Sequence, residues 1–141
     1  MKTYNIIGID EFKKNIGIAI CDENKLVATP LESLEKKKFE SLSRKIDTII
    51  KKNQIKGIVI GKPINMDGSI GKSAQSSMDF AKNLSTNITI PIMLWDERLS
   101  SVGALNLTKN LNTNISNKIK NLDKHAAAFI LQGAIDYLSC R

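Results

Sequence analysis

Apolar and polar positions along the chain fall into short blocks of two different periods. Residues 4–10 form a brief run rich in isoleucine, and residues 16–20 form a second after a charged connection, which predicts two strands joined as a hairpin. Residues 26–31 supply a third strand, after a turn at Asp22, Glu23 and Asn24. Over 34–52 the period changes: Phe39, Leu42, Ile46, Ile49 and Ile50 recur at spacings of three and four, the mark of an amphipathic helix. Its other face is basic, with Lys36, Lys37, Lys38, Arg44, Lys45, Lys51 and Lys52. Ile58, Val59 and Ile60, bounded by Gly57 and Gly61, read as a buried parallel strand. A helix follows over 73–84, with Ala74, Met78, Ala81 and Leu84 along one side. Then come a strand over 88–95, a helix beginning near Ser100 and a last helix over 122–138 with an apolar stripe. Residues 110–121 are polar and aperiodic, as in a loop or a frayed helix.

The expected fold class is therefore α/β. The first three strands are antiparallel, and an α-β-α-β-α-α series then builds a mixed sheet with helices on both faces through right-handed crossovers. With no internal repeat and no long linker, residues 1–141 read as a single domain.

In such sheets ligands bind at the carboxyl ends of the strands, so acids there carry information. Asp10 closes the first apolar run. Position alone leaves two readings open, an active-site acid or a turn-starting Asp. Asp96 and Glu97 close the strand ending at Trp95; alternation puts Asp96 on the face of Ile92 and Leu94 and Glu97 on that of Met93 and Trp95. Only one need point inward. Arg98 beside them can pair with one or hold a phosphate in its planar fork, and the competing reading is a charged helix start. Asp123 shares a helical face with Ala127, Ile130, Ala134 and Tyr137, at offsets of four, seven, eleven and fourteen. A carboxylate at the end of a buried stripe is costly without a cation or hydrogen bonds; an N-cap is the alternative. Three carboxylates on separate elements, with no His or Cys cluster, point to a hard, oxygen-binding ion such as Mg²⁺ or Mn²⁺. Such ions suit cleavage of a phosphodiester.

Charge adds a partner to this picture. Twenty-one Lys and Arg against fourteen Asp and Glu give a net charge of +7, which favours a polyanion such as nucleic acid. Cys21 and Cys140 lie far apart, outside any zinc or redox spacing, as in a reducing compartment. With no signal-peptide pattern and no apolar run of about 20 residues, the expectation is a cytoplasmic protein with no membrane role. Gly71-Lys72-Ser73 imitates the end of a phosphate-binding P-loop, but Met66 stands where its first glycine is required. His125, the only histidine, lies two residues from Asp123 on another side of the helix and reads as a surface residue.

Five blocks together resemble the YqgF family, named for Holliday junction resolution and for processing of 16S rRNA precursors. They are Ile7-Gly8-Ile9-Asp10; Ile16-Gly17-Ile18-Ala19; Ile60-Gly61-Lys62-Pro63 with Asn65-Met66-Asp67-Gly68; Trp95-Asp96-Glu97-Arg98-Leu99-Ser100; and Asp123-Lys124-His125-Ala126-Ala127 running on to Ile130-Leu131-Gln132. The resemblance implies a ribonuclease H-like fold and a metal-dependent endonuclease acting at the 5′ end of the small-subunit rRNA precursor. It carries over Asp10, the Asp96–Glu97 pair and Asp123 as the metal-binding acids, with Glu97 preferred to Asp96. Arg98, Lys13, Lys14 and Lys62 are the candidate nucleic-acid contacts. A branched-DNA resolvase, for which a homodimer is expected, is the alternative substrate reading. The chain departs from the family's Asp-x-Gly-x-Lys-Arg-Ile-Gly at one place, where Phe12 replaces the turn glycine and Asn15 the arginine. Phe12 implies a hairpin without positive φ there, and Lys13 or Lys14 partly replaces the arginine's phosphate contact. That altered segment motivates a third reading, an RNA-binding module with impaired catalysis.

Overall fold

The computed structural model describes residues 5–21, 27–99 and 116–139, with the side chains of the last helix described from 125 to 137. Among these residues the strands β1 (Asn5–Glu11), β2 (Asn15–Cys21), β3 (Ala28–Glu35), β4 (Ile55–Lys62) and β5 (Ile92–Asp96) form one sheet in the order β3-β2-β1-β4-β5. β1 and β2 pair antiparallel, as do β2 and β3, while β4 lies parallel to both β1 and β5. Helices α1 (Phe39–Asn53), α2 (Lys72–Ser85) and α3 (Ser116–Ser139) connect and cover it. The mixed sheet with three antiparallel strands at its start is the arrangement the apolar pattern predicts.

Alternation along the strands separates two apolar layers. Ile7, Ile9, Ile16, Ile18, Ile58 and Ile60 pack against Leu42, Ile46 and Ile49 of α1 and Phe80 and Leu84 of α2. Each of these buried side chains contributes about 1.5–3 kcal/mol by leaving water, and an edge-on contact of Phe39 with Phe80, centroids 6.1 Å apart, joins the two helices. On the other face Ala19, Val59 and Trp95 pack under Ala127, Ile130, Leu131 and Ala134 of α3. The small residues at this layer let α3 lie close. An added Cβ at Gly8 would stand 2.7 Å from Leu131 Cβ and 3.0 Å from the Ala127 carbonyl.

Several boundaries differ from those the pattern predicts. The first helix starts at Phe39, because β3 runs on to Glu35 and takes Leu34 into the sheet, where it pairs with Ile16. β3 is an edge strand, so Pro30, placed beside a register shift, leaves no central ladder bond unmade. Helix α3 begins at Ser116, so part of the aperiodic stretch over 110–121 is helical. Tyr137 is half-exposed rather than part of the buried stripe, and stacks edge-on against Trp95 at 5.5 Å. The turn at Asp22 and the helix expected near Ser100 lie outside the described residues. No helix among the described residues is long and apolar enough to cross a membrane.

Candidate active site

Asp10 sits on the α3 face of the sheet. It alternates with Ile9, and it follows Gly8, which abuts Leu131. Its partner on β2 is Gly17, and one step past the Ile9–Ile60 pair its neighbour on β4 is Gly61. The carboxylate of Asp10 therefore lies between two positions that have no side chain. It is nonetheless almost fully buried, at 4% exposure.

Glu97 reaches the same place from β5. It opens the short 3-10 turn Glu97–Leu99, is 3% exposed, and its carboxylate hangs over Gly61: an added Cβ there would meet Glu97 Oε2 at 3.1 Å and Ile130 Cδ1 at 2.5 Å. A glycine at 61 is thus what lets an acid from β5 approach an acid from β1. Asp10 Oδ2 and Glu97 Oε2 are buried oxygens that accept no hydrogen bond, although each residue has other interactions. Carboxylate burial of this degree is costly and calls for compensation.

Asp96, one residue earlier, faces the other way and is held by Arg98. Arg98 Nε lies 3.1 Å from both Asp96 oxygens, Nη2 lies 2.8 Å from Oδ2, and the Arg98 backbone N–H donates to Oδ1 at 3.0 Å. The guanidinium holds the Asp96 carboxyl below its ordinary value of 3.8, helped by the charge of Lys62. Asp96 in turn raises Arg98. Because the folded value is depressed, the stabilisation from Asp96 is complete above the ordinary carboxylate range and is lost as pH falls through the depressed value. In Arg98→Ala the Asp96 carboxyl should titrate higher, because the side-chain hydrogen bonds and charge that depress it are gone. Carboxyl-carbon NMR across pH 2–6 reads this, and an unmoved midpoint would show that the pair does not form.

Asp123 belongs to α3, one turn before Ala127 on the stripe that packs over β1 and β4; its side chain lies outside the described residues. Among the described residues no group of three His, Cys, Asp or Glu side chains comes together. Two of the expected acids, Asp10 and Glu97, are thus placed on one face over Gly61, and Asp96 is committed to Arg98. His125 is exposed, beside Pro30 and Phe129.

The basic candidates ring the carboxyl ends of the strands. Lys13 and Lys14 are exposed at the tip of the β1–β2 hairpin, which closes through the Phe12 N–H donating to the Asn15 carbonyl at 2.9 Å. Phe12 does not take positive φ, as expected for a hairpin with Phe at that position. Together with Asn15, Glu35, Lys36 and Lys37 they line a recess of about 460 Å³. Glu11 points to the sheet face opposite Asp10, where it pairs with Lys36 and accepts from Ser76 Oγ at 2.7 Å; Lys36 also donates to the Phe12 carbonyl at 2.9 Å. Its charge is therefore neutralised away from Asp10. Sequence reasoning did not find this network; the odd-even alternation of β1 was the signal that could have separated Glu11 from Asp10.

A five-stranded mixed sheet of this order, with buried acids at the carboxyl ends of β1 and β5, defines the class: a ribonuclease H-like fold of the RuvC kind. The RuvC structure of Thermus thermophilus in complex with a Holliday junction substrate superimposes with a TM-score of 0.56, covering 96% of each chain at 10% identity. The model of the RuvX family, described as Holliday junction resolvase, matches residues 4–137, and the chain belongs to that family. A relative from Pelagibacter ubique (strain HTCC1062), named "Putative pre-16S rRNA nuclease", is 52% identical over 133 residues, 94% of this chain and 88% of its own length. A relative of the same name from Bradyrhizobium diazoefficiens is 39% identical over 134 residues, 95% of this chain and 83% of its own.

Proposed function

We propose that this protein is a cytoplasmic, divalent-metal-dependent endonuclease that trims the 5′ end of the small-subunit rRNA precursor. The observation that carries the reading is that two nearly fully buried carboxylates, Asp10 at the carboxyl end of β1 and Glu97 after β5, flank Gly61 on one face of the sheet. Oxygen donors of this kind fit Mg²⁺ or Mn²⁺. Asp10 and Glu97 would hold the ion, with Asp123 as the third acid. When bound, the ion supplies Lewis-acid stabilisation of charge on the scissile phosphate and a more acidic water.

The remaining residues bind and shield. Ile130 and Trp95 put an apolar floor beside the acids, which excludes bulk water and strengthens electrostatic interactions there. Lys62, Lys13 and Lys14 place positive charge on the rim, where neighbouring phosphates of an RNA strand would lie. Arg98, fixed by Asp96, offers its remaining Nη1 edge toward the turn at Gly68.

Incubation of a 16S precursor fragment with Mg²⁺ or Mn²⁺ tests the reading. Metal-dependent shortening from the 5′ side, abolished by a chelator, is expected. Cleavage of a four-way DNA junction with the rRNA fragment left intact would replace it by the resolvase reading, and salt-sensitive RNA binding without cleavage by the binding-module reading. Gly61→Ala adds a test of the geometry. The added Cβ would stand 2.5 Å from Ile130 Cδ1 and 3.1 Å from Glu97 Oε2, so Ile130 must turn and Glu97 give way by a small amount; misplacing that carboxylate should lower the cleavage rate by up to about 10-fold while leaving the protein folded. Cleavage kinetics beside a melting curve check it; an undiminished rate would show that the seat of Glu97 over Gly61 does not matter.

A further inference from the structure

Large apolar side chains stand in water on two turns that follow the carboxyl ends of β4 and β5. Met66 is 86% exposed and Ile70 46% exposed in the connection between β4 and α2, and Leu99 is 61% exposed in the turn that carries Glu97. One exposed apolar residue needs no explanation, but three on two adjoining turns do. The two turns adjoin at Arg98: an added Cβ at Gly68 would lie 3.6 Å from its Nη1.

The Met66 turn is also built to hold its shape. The Gly68 N–H donates to the Asn65 carbonyl at 2.8 Å, and the Asn65 N–H to the Ser69 carbonyl at 3.1 Å. Asn65 Nδ2 donates to Ser69 Oγ at 3.0 Å, and both the N–H and the hydroxyl of Ser69 donate to Asp67 Oδ1, at 2.9 and 2.6 Å. Gly68 takes φ +87, which suits glycine and closes the turn. These bonds are local and tie the turn to itself, so Met66 is presented on an ordered support with no core to fill.

We propose that Met66, with Ile70 and Leu99 beside it, packs against unpaired bases of the RNA strand next to the scissile phosphate, and so directs cleavage to single-stranded rather than paired segments. Apolar side chains meet base faces only where bases are unstacked, and RNA is read mainly at such places. Lys62, the last residue of β4 before this turn, supplies positive charge alongside those contacts. The inference rests on the nuclease reading, since it needs an RNA strand across the acid cleft.

The test uses Asp10→Asn protein, so that the strand stays whole, with two probes: a single-stranded RNA carrying 2-aminopurine and a blunt RNA duplex of the same length. Binding should change the 2-aminopurine fluorescence. Adding Met66→Ala should weaken single-strand binding by about tenfold, the scale of one lost base contact, and remove most of the fluorescence change. Duplex affinity and melting temperature should stay as they were, and Met66→Leu should behave like Met66. Equal affinities and an unchanged fluorescence response in Met66→Ala would overturn the inference while leaving the nuclease reading intact, as would equal weakening on both probes. Failure of Asp10→Asn protein to bind either RNA at low salt would overturn both.

Discussion

Asp10→Asn should abolish cleavage and weaken the stabilisation that metal brings. The carboxylate is 4% exposed and shares its face with Glu97, which is 3% exposed. A metal-ligand carboxylate supports several kcal/mol of transition-state charge stabilisation, or roughly 1,000-fold or more in rate. Mg²⁺ or Mn²⁺ should raise the melting temperature of the native protein by binding the folded state alone, and should do so far less in the variant. Cleavage assays and melting curves with and without metal read both effects. A variant that cuts within a few-fold of the native rate would remove Asp10 from the site.

Gly8→Ala should produce the largest loss of stability from a single methyl group. The new Cβ would stand 2.7 Å from Leu131 Cβ and 3.0 Å from the Ala127 carbonyl, and neither is the free end of a flexible side chain. Helix α3 must move off β1 as a body, an overpacking cost of about 1–3 kcal/mol, or a fall in melting temperature of roughly 5–10 °C. Gly57→Ala is the control, since an added Cβ there meets nothing within 4 Å. Thermal unfolding of the two variants side by side decides the matter; equal melting points would mean that α3 does not rest on Gly8.

Much of the fold was legible because strands and helices bury apolar residues with different periods. The isoleucine runs of β1, β2 and β4 and the spacing of Leu42, Ile46 and Ile49 are visible without coordinates. β3 was misjudged at its end because an edge strand is half in water and keeps no clean alternation. Asp10, Glu97 and Asp123 were legible as acids near strand and helix ends, and the family motifs named them together. Their neighbours were not. Gly8 and Gly61 read from sequence as residues bounding or interrupting apolar runs, whereas the structure makes them the points where a helix and a carboxylate come close. Glu11, one residue past Asp10, lies across the sheet with Lys36 and Ser76.

The sequence by itself determined the order of elements, the acids and the family, because these depend on residue type and local spacing. Only the tertiary structure decided which of two adjacent acids turns inward. Asp96 and Glu97 differ by one step along a strand, one step reverses the face, and the face is settled by what packs there: Arg98 holds Asp96 at the rim, while the gap above Gly61 admits Glu97 beside Asp10.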